Sequence, residues 1–432
     1  MSATATATPT KSNVSWEELL GSNNWEALLE PELNLSLREF ILRCGNFCEA
    51  TYDAFNSNPI SPNCGNSRYG EETFFHDVVL QDASNYQVVA FLYATSGIGD
   101  TKKKLFLFSA NTELEPWDRQ SNWMGFVAVT TDKISQAIGR REVYVVWRGT
   151  ITTSEWTSNL FQTGPEPAKP LLASDRQTTD RPNFFGIPLK DEPKVHGGWL
   201  SIYTSTNLNS IYTTASARDQ LHRAIQEIRK KYKGEKLSVV VTGHSLGGSM
   251  ATLSAFDIAE NKIAGDDVLV SAVVFGCPQV GNVEFKELVD SNPKLKILHI
   301  HNIRDKVPDT PDWIFPVYIP IQTADLEIDT NRSPYLKSKS ILPLETAGDA
   351  HNLEANLHVV AWWNGQFKKF DTPKVKRSLA LVNKSCRFLV ESLKVPEFWW
   401  VEKNKGMEYD ESTGEWVFDK PPPADQMLKI SL

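Results

Sequence analysis

Cysteine is scarce in this 432-residue chain, and its five cysteines, Cys44, Cys48, Cys64, Cys277 and Cys386, are odd in number. That excludes a disulfide scaffold. Cys44 and Cys48 stand one helical turn apart with Cys64 not far along, which raises a metal site, but no convincing fourth ligand accompanies them. In "SLREFILRCGNFCEATYDAF", Leu37, Phe40, Ile41, Cys44 and Cys48 share one helix face, so the thiols are expected in a core. Ser36 and Glu39 fit a capping box at its start. Long apolar runs are missing too: none approaches the roughly 18–20 residues of a membrane span. The stretch "MSATATATPTKSNVSW" has neither the apolar segment of a secretory signal nor any arginine of a transit peptide. Residues 1–15 are therefore expected to be a disordered tail. Reduced thiols without a signal point to the cytoplasm. Positive charge is not in excess: 45 Lys and Arg face 53 Asp and Glu, a net charge of -8. That argues against nucleic-acid binding and against adsorption on anionic lipid by charge alone.

What is present is an ordinary globular composition, 41% hydrophobic and 23% charged, in a length that suits one large α/β domain with decorations. Residues 16–415 are expected to form that domain, with a helical extension at its start and a loose tail, "DKPPPADQ", across 416–432. Strand-like runs occur in "VVAFLYA", "FVAVTT" and "VYVVW", with "KKKLFLF" a weaker one. A proline-rich polar excursion follows over 162–195 and is expected to cover one edge. Then comes a clear helix, "ARDQLHRAIQEIRKKYKG", with Leu221, Ala224, Ile225 and Ile228 as its apolar stripe. Strand "LSVVVTG", an all-round apolar helix from Leu246, strand "VLVSAVVFG", helix "EFKELVD" and strand "LKILHIH" alternate after it. Continuous apolar strands in βαβ alternation predict a mostly parallel sheet with helices on both faces. Val375, Leu379, Val382, Cys386, Leu389 and Leu393 predict one more amphipathic helix late in the chain. The short basic clusters "TKKK", "RKKYK" and "KKFDTPKVKR" read as solvated faces.

Within this alternation, Gly243-His244-Ser245-Leu246-Gly247 matches G-x-S-x-G between a predicted strand and a predicted helix. A sharp strand-to-helix turn crowds the backbone, so the positions two before and two after the serine must be small. The turn lifts Oγ above the sheet and aims the helix N-terminus and the Leu246 N–H at whatever sits on the serine. Serine needs a base, and the base needs an orienting acid. Where a serine is held up by such a strand-to-helix turn, the chain order is serine, acid, histidine. Asp305, Asp309 and Asp312 follow strand "LKILHIH". Asp305 comes first and is preferred, with Asp309 in reserve. Of eight histidines only His351 and His358 lie beyond, seven residues apart, and their spacing alone does not choose between them. His196 and His301 read as structural. No H-E-x-x-H or calcium loop is present, and this chemistry needs neither metal nor cofactor.

Six stretches carry a resemblance: "VVWRGT", "VHGGWLSIY", "VTGHSLGG", "FGCPQVGN", "HNIRDKVP" and "HNLEANLHVVAWWNG". In this order, over most of residues 80–365, they resemble the class 3 lipases, the α/β-hydrolase group of fungal triacylglycerol lipases and plant phospholipases A1. The flanks "WEELLGSNNWEALLEPELNLSLREF" and "PEFWWVEKNKGM" resemble the class II branch of the plant enzymes. The resemblance implies Ser245 as nucleophile, Asp305 as acid and His351 rather than His358 as base. It implies Thr150 as a second oxyanion donor beside Leu246, and "TSEWTSNLF" as a lid with Trp156 facing lipid. The excursion after that stretch is longer than in the simple fungal enzymes, so the lid and groove are expected to differ. "DWIFPVYIPI" is a candidate acyl-chain wall, or an ordinary core strand. The implied substrate is a glycerolipid met at a lipid interface, most specifically the sn-1 acyl ester of a phospholipid. Neutral glycerolipids, galactolipids and a catalytically silent lipase-like binding protein are the rival readings.

Overall fold

The computed structural model describes residues 14–58, 60–95, 121–150, 163–173, 192–311, 317–337, 350–365 and 372–400, together with residues 368, 370, 407–410, 412, 413 and 415–418. A seven-stranded sheet organises them. Its strands are β1 (Tyr86–Ala94), β2 (Asn122–Thr130), β3 (Arg141–Trp147), β6 (Leu237–His244), β7 (Val270–Phe275), β8 (Leu295–Asn302) and β9 (Ala324–Ile328), side by side in that order. A short hairpin of β4 (Pro165–Pro167) and β5 (Lys194–His196) lies outside this sheet. β1, β2 and β3 pair antiparallel, and β3, β6, β7, β8 and β9 pair parallel. The register puts Ala94, Asn122, Trp147, His244, Phe275 and Asn302 along one edge of the sheet, since Ala94 faces Asn122, Gly125 faces Trp147, Trp147 faces Gly243 and His244 faces Phe275.

Strand side chains alternate between faces, and each face has its own core. Val143, Val145 and Trp147 point to one, packed with α2 (Gly197–Thr204), α3 (Ala217–Lys231) and α4 (Leu246–Glu260) through Trp199, Ile225, Ile228 and Phe256. Tyr144 and Val146 point to the other, packed with α1 (Leu35–Ala54) and α6 (Leu353–Trp362) through Phe40, Phe47, Leu357 and Val360. Helix α5 (Val283–Ser291) starts at Asn282, whose side chain accepts the Phe285 N–H at 3.0 Å. The all-round apolar sequence of α4 is explained by burial of nearly its whole length.

Three expectations change. Helix α1 begins two residues earlier than the Ser36–Glu39 capping box: Asn34 is its N-cap, accepting from the Ser36 and Leu37 N–H groups. Cys44 and Cys48 lie in its buried face as free thiols. The stripe from Val375 to Leu393 forms no α-helix. Only two short 3-10 turns, Leu379–Asn383 and Glu391–Leu393, occur there. The backbone is drawn instead to the 335–337 segment, where Lys337 N–H donates to Phe388 O at 2.7 Å and Val390 N–H to Tyr335 O at 3.0 Å. Asn383 Oδ1 takes the Leu389 N–H at 3.0 Å, closing the turn. Val382, Cys386 and Leu389 still bury together, so the periodicity marked a small core without a helix. Finally, Glu415–Phe418 pairs with Met407–Asp410 as a ribbon, so regular structure reaches into the stretch expected to be loose.

An ion cluster fastens this C-terminal segment. Lys384 Nζ lies 3.0 Å from Glu49 Oε2, 3.0 Å from Asp53 Oδ2 and 3.5 Å from Glu354 Oε1. Arg377 also pairs with Glu354. Burial pushes the Glu49 carboxyl up to about 7, against the pull of Lys384.

Candidate active site

The strand-helix turn between β6 and α4 is built as its glycines predict. Ser245 has φ 58° and ψ −127°, a sparsely populated conformation for a non-glycine residue. A Cβ on Gly243 would lie 2.1 Å from Gly247 O, and one on Gly247 would lie 2.3 Å from Trp147 O. Any larger residue at either position would break the turn. The Ser245 N–H is held by Phe275 O at 2.9 Å. Its side chain caps nothing. Leu246 is the first residue of α4, where N–H groups have no partner within the helix.

Asp305 follows β8 directly and sits on a tight turn: its N–H donates to Asn302 O, and its Oδ1 accepts the Val307 N–H at 2.9 Å. Its other oxygen, Oδ2, accepts from His351 Nδ1 at 2.6 Å. Both residues are buried, and His351 Nε2 has no partner in this state. The alternatives fall elsewhere. Asp309 is exposed and pairs with Lys306 at 3.2 Å. His358 points to Ser333 Oγ at 2.8 Å and packs among Tyr335, Trp362 and Phe370. Burial, aided by Arg377, pushes the His358 imidazole down to about 4, so it is a neutral structural ring at pH 7. Thr150, the third residue after β3, is buried, with its Oγ1 unpartnered. Thr150, His244 and His351 line an open pocket of about 480 Å³, which Lys384, Phe398 and Trp400 of the C-terminal segment also line. Trp156, the rest of the "TSEWTSNLF" stretch and Asp312 lie outside the described residues, as does the first half of "DWIFPVYIPI". In its second half Tyr318 and Ile321 are buried, joined to the fold by a bridge from Ile319 to Gly281 rather than as a sheet strand.

Sequence reasoning missed two supports. The first runs through His244, the residue before the serine. Its Nε2 lies 2.8 Å from His351 O, and a carbonyl only accepts, so Nε2 carries the hydrogen. Nδ1 must then accept, and the Tyr52 hydroxyl donates to it at 2.7 Å. Burial, with His351 close by, holds the His244 imidazole well below its ordinary range, which keeps the ring in this neutral form. Helix α1 thus reaches through Tyr52 and His244 to the backbone of His351. The second support is Gly276, at φ +50° just after β7. A Cβ there would sit 2.9 Å from Asp305 Oδ2 and from His351 Cε1 and Nδ1. Gly276→Ala is expected to strain the turn and push the Asp305–His351 pair apart. A displacement of this kind costs roughly 10²-fold in kcat, and steady-state kinetics on a soluble ester will read it.

Beside this turn, His299, His301 and Asp325 bring nitrogen and oxygen atoms within 4.8 Å of one another. The Cys277 N–H donates to His299 Nε2 at 3.0 Å. Burial pushes that ring down to about 4, so it is neutral with its hydrogen on Nδ1, toward Asp325. In that tautomer the Nε2 lone pair is taken by the Cys277 N–H and Nδ1 carries the hydrogen, 3.6 Å from Asp325 Oδ1, so this ring has no lone pair free for an ion. The ring instead steadies the backbone next to Gly276.

Comparison with known proteins gives the family. The lipase (class 3) family model matches residues 144–315. Phospholipase A1-IIdelta of Arabidopsis thaliana is 49% identical over 409 residues, covering 93% of this chain and 96% of its own. The chain belongs to the class 3 lipase family. Within it the chain is also 42% identical to phospholipase A1-II 5 of Oryza sativa subsp. japonica, over 96% of this chain and 84% of that one. Among solved structures, nonglycosylated Yarrowia lipolytica LIP2 lipase aligns with 69% of this chain and 81% of its own at 18% identity and a TM-score of 0.41. Among the described residues no helix is long and apolar enough to cross a membrane.

Proposed function

We propose that this chain is a phospholipase A1, a serine acyl hydrolase that cleaves the sn-1 acyl ester of phospholipids. The observation that carries the chemistry is the 2.6 Å bond from His351 Nδ1 to Asp305, which leaves His351 Nε2 free to take a proton. Ser245 Oγ attacks the ester carbonyl as His351 accepts its proton. Asp305 orients the imidazole and stabilises its cation. The N–H groups of Leu246 and Thr150 hold the oxyanion, each worth about 3 kcal/mol in comparable sites. His351 returns the proton to the departing glycerol oxygen, and water then releases the fatty acid from Ser245. The sn-1 preference rests on the names of the plant relatives. Residues 16–415 are proposed as one catalytic unit, because both cores share one sheet. A cytoplasmic location fits five cysteines joined in no disulfide.

The test is hydrolysis of phosphatidylcholine carrying distinguishable chains at its two positions, with monoacylglycerol, triacylglycerol and galactolipid alongside. Release of the sn-1 chain, lost in His351→Ala and kept in His358→Asn, is the expected result. Release from neutral lipids alone would move the substrate and keep the mechanism. No hydrolysis of any ester would leave a silent lipase-like protein.

A further inference from the structure

We propose that two uncharged loops, residues 60–67 and 205–216, form a docking surface for the neutral or zwitterionic face of a lipid bilayer, inserting Ile60, Leu208 and Ile211. This rests on the acyl-hydrolase reading and says how the site meets its substrate. The three side chains are 90%, 84% and 75% exposed, unusually bare for their size. They also sit on two loops anchored at the functional edge of the sheet. The first loop is fixed there by Trp123 N–H donating to Gly65 O at 2.8 Å, at the start of β2. Tyr93, near the end of β1, donates its hydroxyl to Asn66 Oδ1 at 2.8 Å and stacks on Tyr212 with ring centroids 4.6 Å apart. One tyrosine therefore seats both loops on the edge where β6 delivers Ser245. Bare apolar side chains on loops anchored to one edge beside a site mark an interaction surface, whereas ones scattered over the molecule do not.

The composition of the loops selects the partner. No Asp, Glu, Lys or Arg occurs from Ala54 to Ser67 or from Val195 to Ala217, in a chain of net charge -8. Nothing in these loops attracts anionic headgroups, and the net charge repels them. Asn, Ser, Thr and Tyr around the apolar tips suit the hydrogen-bonding headgroup layer, while the tips reach the acyl boundary.

The test uses the full-length chain carrying Ser245→Ala, so that vesicles are not digested. Co-sedimentation with phosphatidylcholine vesicles is expected, and doping them with phosphatidylserine is expected not to strengthen it. Adding Ile60→Ser, Leu208→Ser and Ile211→Ser should weaken partition roughly a hundredfold. Ile138→Ser, at the opposite edge of the sheet between β2 and β3, should leave it unchanged. On the Ser245 background the triple variant should still hydrolyse a water-soluble short-chain ester at the parent rate, which shows it is folded. Unchanged partition of the triple variant, no binding to phosphatidylcholine, or binding that requires phosphatidylserine would each overturn the proposal. So would a parent dimer that the triple substitution dissociates without altering vesicle binding, since the patch would then face a second copy. Failure on the soluble ester by the parent enzyme would sink the hydrolase reading alone.

Discussion

Ser245→Ala is expected to lower kcat by on the order of 10⁶ while the protein stays folded, because comparable triads lose about that much with their nucleophile. The substitution removes only an Oγ that caps no helix end, and alanine keeps the unfavourable φ of 58°. Ser245→Gly separates the two properties. Glycine adopts this conformation without strain, so the variant should gain about 1 kcal/mol of stability and be equally inactive. Denaturant titration beside an ester assay measures both. A Ser245→Ala protein that keeps more than a trace of activity would remove Ser245 from the mechanism.

Asp305→Asn is expected to lower kcat about 10⁴-fold with little change in KM. The reason lies in the two bonds that hold the carboxylate. The Val307 N–H donates to Oδ1 at 2.9 Å, so an asparagine would keep its oxygen there and turn its NH₂ toward His351 Nδ1. Two donors would then face each other. The imidazole would relieve this by moving its hydrogen to Nε2, the nitrogen that has to accept from Ser245. Asp309→Asn is the control: its exposed pair with Lys306 is worth little, and activity should change less than about twofold. Equal losses in the two variants would mean that the acid has been misassigned.

The serine turn was legible because its constraint is local: two glycines must stand within two residues of the serine, and the sequence displays both. The place of Asp305, directly after β8 and bonded to His351, was legible as that of the first carboxylate after an apolar strand. The choice of His351 over His358 was not, since the deciding bond spans 46 positions to Asp305. Tyr52 was invisible for the same reason, lying 192 positions from His244. The stripe from Val375 to Leu393 misled because helical periodicity records which residues bury, not the backbone path that buries them. There, main-chain bonds to 335–337 outweighed helix formation.

The link from Tyr52 through His244 to His351 also bears on how far this protein can be divided. The stretch that the family model matches, residues 144–315, contains Ser245 and Asp305 but neither Tyr52 nor His351. A fragment cut to those bounds would hold the proposed nucleophile and acid without a base, and nothing to fix a base supplied separately. Helix α1, which carries Tyr52, and the His351 turn that leads into α6 are therefore not ornaments on a minimal enzyme. Insertion, permutation or domain exchange should succeed only where the chain enters or leaves this triangle of α1, the serine turn and the His351 loop as a whole.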